Sequence, residues 1–577
     1  MNQTRRTTAE FLWYPLIAVL YSAIIFFAAF LTPSSPTEQV VWKYSLEKLI
    51  LVIILFVPFL LSVLCLLLRK TKLVSAALSR FLSSRVVHVL SILLVMGSLI
   101  YLTCSFAGGF GKYTQISQHL FPIVILISFF SSETFIFQIV HTEEKIGGKT
   151  WSNLSSIKLS KEDKLVLLAI LATIGFVAAV IVNYYRGYYQ YQPYPYNTFL
   201  FEIDDKFEDF SVVVGETIGM NPYENFLSGQ YPFTLLVGSI FSSFSNNIGY
   251  LLFVVIFAFV YYIFSYQFFR LEKKPLGLLL TIIITTLSYP LLFSLDRGNF
   301  ELLVFAFLLI FLYYYNKGKY LESAIFLAMA SALKIYPAIF LLLFIKDKKY
   351  KEILITIGTI AGLTLASLLF FKGGIWKNLQ YLLNFSNISN NWVFNSFLSI
   401  DKDTLVQRGV SLLTFIKIIV HQMDIPLPVF ISQNFLSLYY ILVAIIFLPI
   451  AYYVVFVEKV LWKNVTLLTV SMLLLPTLSA DYKLMHMYLP LFMFVNARES
   501  NRMDIVYLIS FAILLIPKNY FFLQNVVSDA SECHDISLAV TTNIAVLILF
   551  IFTIMIPGLI DRIKSKSKAK PLNLNAQ

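Results

Sequence analysis

Residues 296–351 read DRGNFELLVFAFLLIFLYYYNKGKYLESAIFLAMASALKIYPAIFLLLFIKDKKYK. The run 299–316 is almost wholly apolar, turns through Lys317 and Lys319, and enters a second apolar run. A hydrocarbon layer of about 30 Å takes roughly 20 apolar residues as a helix. Comparable segments recur near 11–31, 49–68, 86–106, 119–140, 165–184, 247–269, 276–295, 353–371, 433–456, 464–480, 484–497, 503–522 and 537–559. Of the 577 residues, 58% are hydrophobic and 13% charged, more apolar surface than a soluble protein of this size hides. The expected fold is all-α: a polytopic helical membrane protein of about 14 spanning helices, with a short broken helix pair and long outer loops holding interfacial helices.

The broken pair lies within the opening stretch. Residues 320–333 make a helix of about 21 Å, too short to cross alone. Both flanks of 320–345 are basic, so both ends are expected on the same side. Pro337 removes a backbone donor and disfavours helical geometry at Tyr336. Two short helices are expected to meet at Lys334-Ile335-Tyr336-Pro337, deep in the protein. Irregular backbone at that depth is tolerated only where protein buries it or water fills a cavity. Ser323, Ala324, Ala328, Ala330, Ser331 and Ala332 allow close helix packing.

Charge sorts the loops. With the N-terminus inside, about 30 of the 44 Lys and Arg residues fall in inner loops and about 14 outside or at the outer edge. The net charge of +12 is therefore mostly a topology signal rather than a nucleic-acid signal. The basic tail, Arg562 to Lys570, is a solvated segment or a contact for anionic lipid. The first apolar run lacks a clear cleavage site. Three cysteines, Cys65, Cys104 and Cys533, do not make a disulfide framework. Residues 1–164 are expected to form a separate four-span bundle of unknown role, 165–500 a catalytic core, and 501–577 the last spans and a cytoplasmic tail. Two outer segments, 185–246 and 372–432, exceed simple connectors, and long loops on a rigid scaffold commonly carry function.

The first of them contains LFEIDDKFEDFSVVVGETIGMNPYENFLSGQYP, residues 200–232. Before it, Tyr184 to Tyr191 is rich in tyrosine, either an interfacial belt or a stacking wall for sugar or lipid. Glu202, Asp204, Asp205, Glu208 and Asp209 alternate with Phe201, Phe207 and Phe210. The acids are either a solvated turn or are held against an apolar surface, which suits a carboxyl to proton transfer. Asn221-Pro222-Tyr223 and Tyr231-Pro232 read as chain breaks, and the apolar 233–244 as a helix in the membrane interface.

Cations supply the other half. Asp296-Arg297-Gly298-Asn299 is either a tight capped turn or an arginine aimed at a lipid phosphate. Lys334, between apolar half-helices, is either a functional cation or snorkels to an interface. Asp481-Tyr482-Lys483 with His486 is a local ion pair or part of the same anion site. His88, His119 and His421 show no metal-ligand spacing, and there is no Walker loop or dinucleotide fingerprint. No cofactor is expected. An anionic phosphate leaving group needs fixed positive charge, and an acceptor hydroxyl needs a carboxylate base.

The pieces DKFEDF, NPY, QYP, DRGN, ALKIYP and FNSFLSI occur in an order that resembles the glycosyltransferase-C superfamily, most of all family 87, the polyprenyl-phosphate-mannose-dependent mannosyltransferases. The likeness covers roughly 165–500 and omits the first four spans. It implies a glycosyltransferase-C-like core and inverting transfer of a mannose-like hexose, on the extracytoplasmic face, from a polyprenyl phosphate to a glycan or glycolipid. It further implies Asp209 as base with Asp205 as understudy, and Lys334, helped by Arg297, at the donor phosphate; Lys483, which topology places on the same side, is the third cation expected there. Tyr223, Tyr231, Asn299, Tyr336, Asn395, Asp481 and His486 are the implied substrate contacts. The partners expected are the lipid-linked donor, the acceptor and membrane lipids, without nucleic acid. SADYKLMHMYLP, at 479–490, departs from the His-rich motif common in relatives and leaves the sugar open. A flippase of lipid-linked glycan, or a surface-glycan polymerase or ligase, is the alternative.

Overall fold

The structure, a computed structural model, describes residues 159–191, 198–200, 207–223, 230–271, 277, 280–281, 283–285, 287–384, 408–422, 429–497, 503–518, 522–523 and 536–568. The four expected N-terminal spans, Asp205 and Asn395 lie outside these residues. Among the described residues the fold is helical, apart from one antiparallel pair of two-residue strands, Phe522–Leu523 and Ile536–Ser537.

Helix length separates inside from outside. By length and composition four helices suffice to cross a membrane: Ile248–Phe269, Tyr350–Phe370, Asn434–Phe456 and Ala539–Ile560. Between 17% and 44% of each span is buried, so most of their apolar surface faces outward, as a hydrocarbon surround permits. Leu354, Leu369, Ile445 and Leu448 are among these exposed side chains. The centre is built from shorter pieces. Leu461–Leu474 is buried without interruption from Asn464, and every residue of Tyr488–Val495 is buried. A helix apolar on all sides belongs in an interior.

The expected spans at 299–316, 464–480, 484–497 and 503–522 are therefore corrected. They contain helices of 16, 14, 8 and 12 residues, Glu301–Asn316, Leu461–Leu474, Tyr488–Val495 and Asp504–Leu515. Polar turns and prolines cut the apolar runs before they reach membrane length. Residues 233–244, expected in the membrane interface, form Pro232–Phe241, whose Phe233, Thr234, Leu235, Gly238 and Phe241 are buried in the protein. It packs against Glu208–Glu216 and Tyr350–Phe370.

The expected break is present. Tyr320–Leu333 packs between Glu301–Asn316 and Tyr350–Phe370. Ser323, Ala324, Ala328, Ala330, Ser331 and Ala332 are all buried, so small side chains do set the close approach. The helix stops at Lys334, which is extended at φ −146°, ψ 132°. A 3-10 turn, Tyr336–Phe340, then leads into Leu341–Lys346. The Thr234 hydroxyl donates to the Leu333 carbonyl at 2.7 Å, satisfying one acceptor that the break frees.

Away from the break, Lys164 on helix Lys161–Tyr184 meets Asp504 on Asp504–Leu515 at 2.7 Å, both nearly fully buried. Phe494 lies under the same ammonium at 4.3 Å. Removing one partner of a buried pair leaves an uncompensated charge and costs about 3–5 kcal/mol, whereas removing both is often neutral. Lys164→Met should therefore lower the thermal unfolding midpoint in detergent, and Lys164→Met/Asp504→Leu should recover most of the loss. Equal losses in the single and double variants would show that the pair is not coupled.

Candidate active site

The helix Tyr289–Arg297 begins with Pro290 in its first turn and ends at Gly298, in the left-handed region at φ 65°, ψ 30°. Glycine is required there twice over. The backbone conformation favours it, and an added Cβ would lie 2.7 Å from Phe210 Cβ and 3.1 Å from the Tyr250 ring. The acidic loop thus lies directly on this turn. The Phe207 N–H donates to the Asp296 carbonyl at 2.9 Å. Phe207 itself is left-handed, at φ 58°, ψ 15°, and its ring centroid lies 3.7 Å from that of Tyr250. A bulky residue in this region is strained and persists only when its surroundings hold it. Phe210 is fully buried and packs on Phe241, Phe253 and Phe300. Phe207 and Phe210, on either side of Glu208 and Asp209, therefore anchor this stretch of chain on an apolar surface.

Between these anchors, Asp209 sits in the first turn of Glu208–Glu216, where the helix dipole favours an anion. Arg297 donates to its Oδ1 at 2.5 Å and Asn299 to its Oδ2 at 2.6 Å. The other guanidinium nitrogen of Arg297 reaches Glu208 at 3.1 Å. Asp209 remains 24% exposed, so both oxygens are oriented while the group stays open to solvent. Arg297, expected at a phosphate, is thus engaged with two carboxylates. The side-chain oxygen of Asn299 accepts from the Glu301 N–H at 2.9 Å, a local turn that starts the next helix.

Glu301 did not stand out in the sequence, yet it lies at the centre of a buried cluster. Its side chain is fully buried. Tyr336 donates its hydroxyl to Oε2, and His486 Nε2 lies 3.2 Å from the same oxygen. Lys483 Nζ stands 3.9 Å from Oε1 and 4.8 Å from the Tyr336 ring centroid. Lys334 lies within electrostatic reach of Glu301 and Lys483, and its side chain makes no hydrogen bond or ion pair with any described residue. Tyr231 places its hydroxyl beside the backbone at Ile335. Tyr482 links the two halves, within electrostatic reach of Asp209, Arg297, Glu301 and Asp481. The structure therefore gathers Asp209, Arg297, Asn299, Lys334, Tyr336, Lys483, His486 and Tyr231 around one region.

Two expected contacts lie elsewhere. Tyr223 is buried in a separate apolar cluster with Leu235, Leu368 and Phe371. Asp481 is buried on another side, where Tyr289 donates to its Oδ2 and Arg408 and Lys518 supply positive charge. Burial pushes the Asp481 carboxyl above its ordinary range, against the pull of Arg408, Tyr289 and Lys518. Arg408 also lies over the Phe293 ring at 4.6 Å and bonds the Leu200 carbonyl at 3.1 Å, so this group ties distant segments together. Among the described residues no three His, Cys, Asp or Glu side chains come together as metal ligands.

Residues 231–476 match the model of Glycosyltransferase family 87. No curated protein and no solved structure matches the chain. The matched segment includes Tyr231, Arg297, Asn299, Lys334 and Tyr336, and leaves out Asp209, Lys483 and His486. The resemblance read from the ordered motifs holds over this segment.

Gly298→Ala tests the joint between loop and turn. Left-handed strain costs on the order of 1–3 kcal/mol, and the 2.7 Å approach to Phe210 adds to it. The variant should unfold at lower temperature and expose the acidic loop to faster proteolysis. Unchanged proteolysis would mean that the loop is held by other contacts.

Proposed function

From a membrane glycosyltransferase resembling family 87, we propose a hexosyltransferase that moves a mannose-like sugar, with inversion, from a polyprenyl phosphate to a glycan or glycolipid acceptor. Its active face is extracytoplasmic, with both termini cytoplasmic, in a plasma or inner membrane. The observation that carries the reading is a contrast in pairing. Asp209 has both oxygens fixed by Arg297 and Asn299, whereas the Lys334 ammonium, at a break between helices, has no partner among the described residues.

The chemistry follows from that contrast. The acceptor hydroxyl attacks the anomeric carbon from the face opposite the phosphate. The carbon–oxygen bond to phosphate breaks, and the electron pair leaves with the polyprenyl phosphate. The hydroxyl proton passes to Asp209. The transition state is oxocarbenium-like, so the hydroxyl loses its proton late, when bonding to carbon has made it acidic. An ion-paired carboxylate is a sufficient base for such a late transfer, and Arg297 and Asn299 keep its oxygens in position. The departing phosphate gains a negative charge, which Lys334 and Lys483 stabilise without a metal ion. Tyr336 and Tyr231 border the path of the sugar. A lipid donor also suits an outward face, where nucleotide sugars are not supplied.

Asp209→Asn preserves the shape and the contact with Arg297 and removes the base. It should insert and unfold like wild type yet lose transfer by about 10²–10⁴-fold. Lys334→Ala should lower kcat and also raise the KM for the polyprenyl-phosphate sugar, because the ammonium both holds the phosphate and stabilises the charge it gains on leaving. Transfer of a labelled hexose to a glycan acceptor in proteoliposomes measures both, and full activity in Asp209→Asn would remove that residue from the role of base.

A further inference from the structure

We propose that Glu301 is a positioning residue whose negative charge keeps the Lys483 ammonium protonated and fixed at the donor phosphate. The inference rests on the reading of a lipid-phosphate donor given above and adds a residue to it.

Glu301 is fully buried at the N-terminus of an apolar helix, where the dipole favours an anion. A Tyr336 hydroxyl and an imidazole nitrogen converge on Oε2, an acceptor pattern that matches a carboxylate. Oε1 has no hydrogen bond and faces Lys483 at 3.9 Å. That distance is an ion pair rather than a hydrogen bond. Lys483 otherwise touches the Leu478 carbonyl at 3.4 Å and the face of Tyr336. Among the described residues Glu301 is its sole carboxylate in ion-pair range.

Groups from three other elements face Lys483. Glu301 comes from helix Glu301–Asn316, Lys334 from the end of Tyr320–Leu333 and Tyr336 from the 3-10 turn, while His486, on the same segment as Lys483, meets Glu301. Of the two residues that precede it along the chain, Tyr482 answers to Asp209 and Arg297, and Asp481 to Arg408 and Lys518. Burial lowers the affinity of Lys483 for its proton, Glu301 opposes that, and the nearby Lys334 adds to the lowering. Without Glu301, a lysine that is only 11% exposed stands beside a second cation with no counter-charge. Its hold on the proton weakens further, and at alkaline pH the anion site loses a cation. Asp209 is no substitute, because its oxygens are committed to Arg297 and Asn299.

The test measures binding of farnesyl phosphate to the full chain in detergent at pH 6, 7.5 and 9. Glu301→Gln should bind about tenfold or more weakly than wild type at pH 9, the loss of one charged contact. The gap should close at pH 6, where Lys483 regains its proton. The second ionisation of the phosphate, near pH 6, is common to all variants and cancels in the ratio. Glu301→Gln/Lys483→Arg should restore binding at pH 9, since a guanidinium does not deprotonate. A merely structural role for Glu301 predicts neither the pH dependence nor the rescue. If wild type binds and Glu301→Gln tracks it at every pH, or if arginine fails to rescue, the inference is overturned. If wild type itself does not bind, the reading of a phosphate site falls first and takes the inference with it. If Glu301→Gln does not insert, wild type and Lys483→Met decide: wild type should hold its affinity from pH 7.5 to 9 and Lys483→Met should bind about tenfold more weakly at both, whereas a wild-type affinity that falls across that range, or an unchanged affinity in Lys483→Met, contradicts the proposal.

Discussion

The contact between Arg297, Asn299 and Asp209 is the constraint on which the site depends. One four-residue turn performs three tasks. Gly298 reverses the chain and admits Phe210 to within touching distance. The residues flanking it grip the two oxygens of Asp209. The Asn299 side-chain oxygen then accepts from the Glu301 N–H and starts the helix that carries Glu301 inward. The acidic loop and the buried cationic cluster are thereby fixed to the same short piece of backbone. A displacement at the turn moves both.

Membrane physics explains why the cations gather where they do. Long apolar helices occupy the outside and expose their side chains. Short ones lie within, where protein satisfies their ends. The break at Lys334 to Pro337 is an irregular stretch of the kind tolerated only when buried or lining a wet cavity. Thr234 answers one freed carbonyl from a helix that belongs to the acidic loop. Charge at such a break is costly, and here the Lys334 ammonium lies within electrostatic reach of the buried Glu301.

Much of this was legible in the sequence, for identifiable reasons. The interleaving of Phe207, Glu208, Asp209 and Phe210 announced acids tied to an apolar surface, and the burial of Phe210 bears it out. A proline after a short small-residue helix announced the break at Lys334. Glu301 escaped notice because a single acid at the start of an apolar run resembles an ordinary helix terminus. Its partners stand 35 and 185 positions away, and no local pattern joins them. Arg297 was read as a phosphate ligand because sequence shows a cation without showing which anion it meets. Tyr223 and Asp481 follow chain breaks like those near the site, yet packing turns them into other clusters. Span lengths were overestimated where apolar residues continue past a helix end, as between Leu474 and Ala480.

The most direct measurement offers the purified protein and a glycan acceptor three hexose donors in parallel: a polyprenyl monophosphate, a polyprenyl diphosphate and a nucleotide sugar. Mass spectrometry of the acceptor reads the transfer, and the anomeric configuration of the product reads its stereochemistry. One added hexose, inverted, from the monophosphate alone is the predicted result. Transfer from the nucleotide sugar or the diphosphate, with none from the monophosphate, would contradict it.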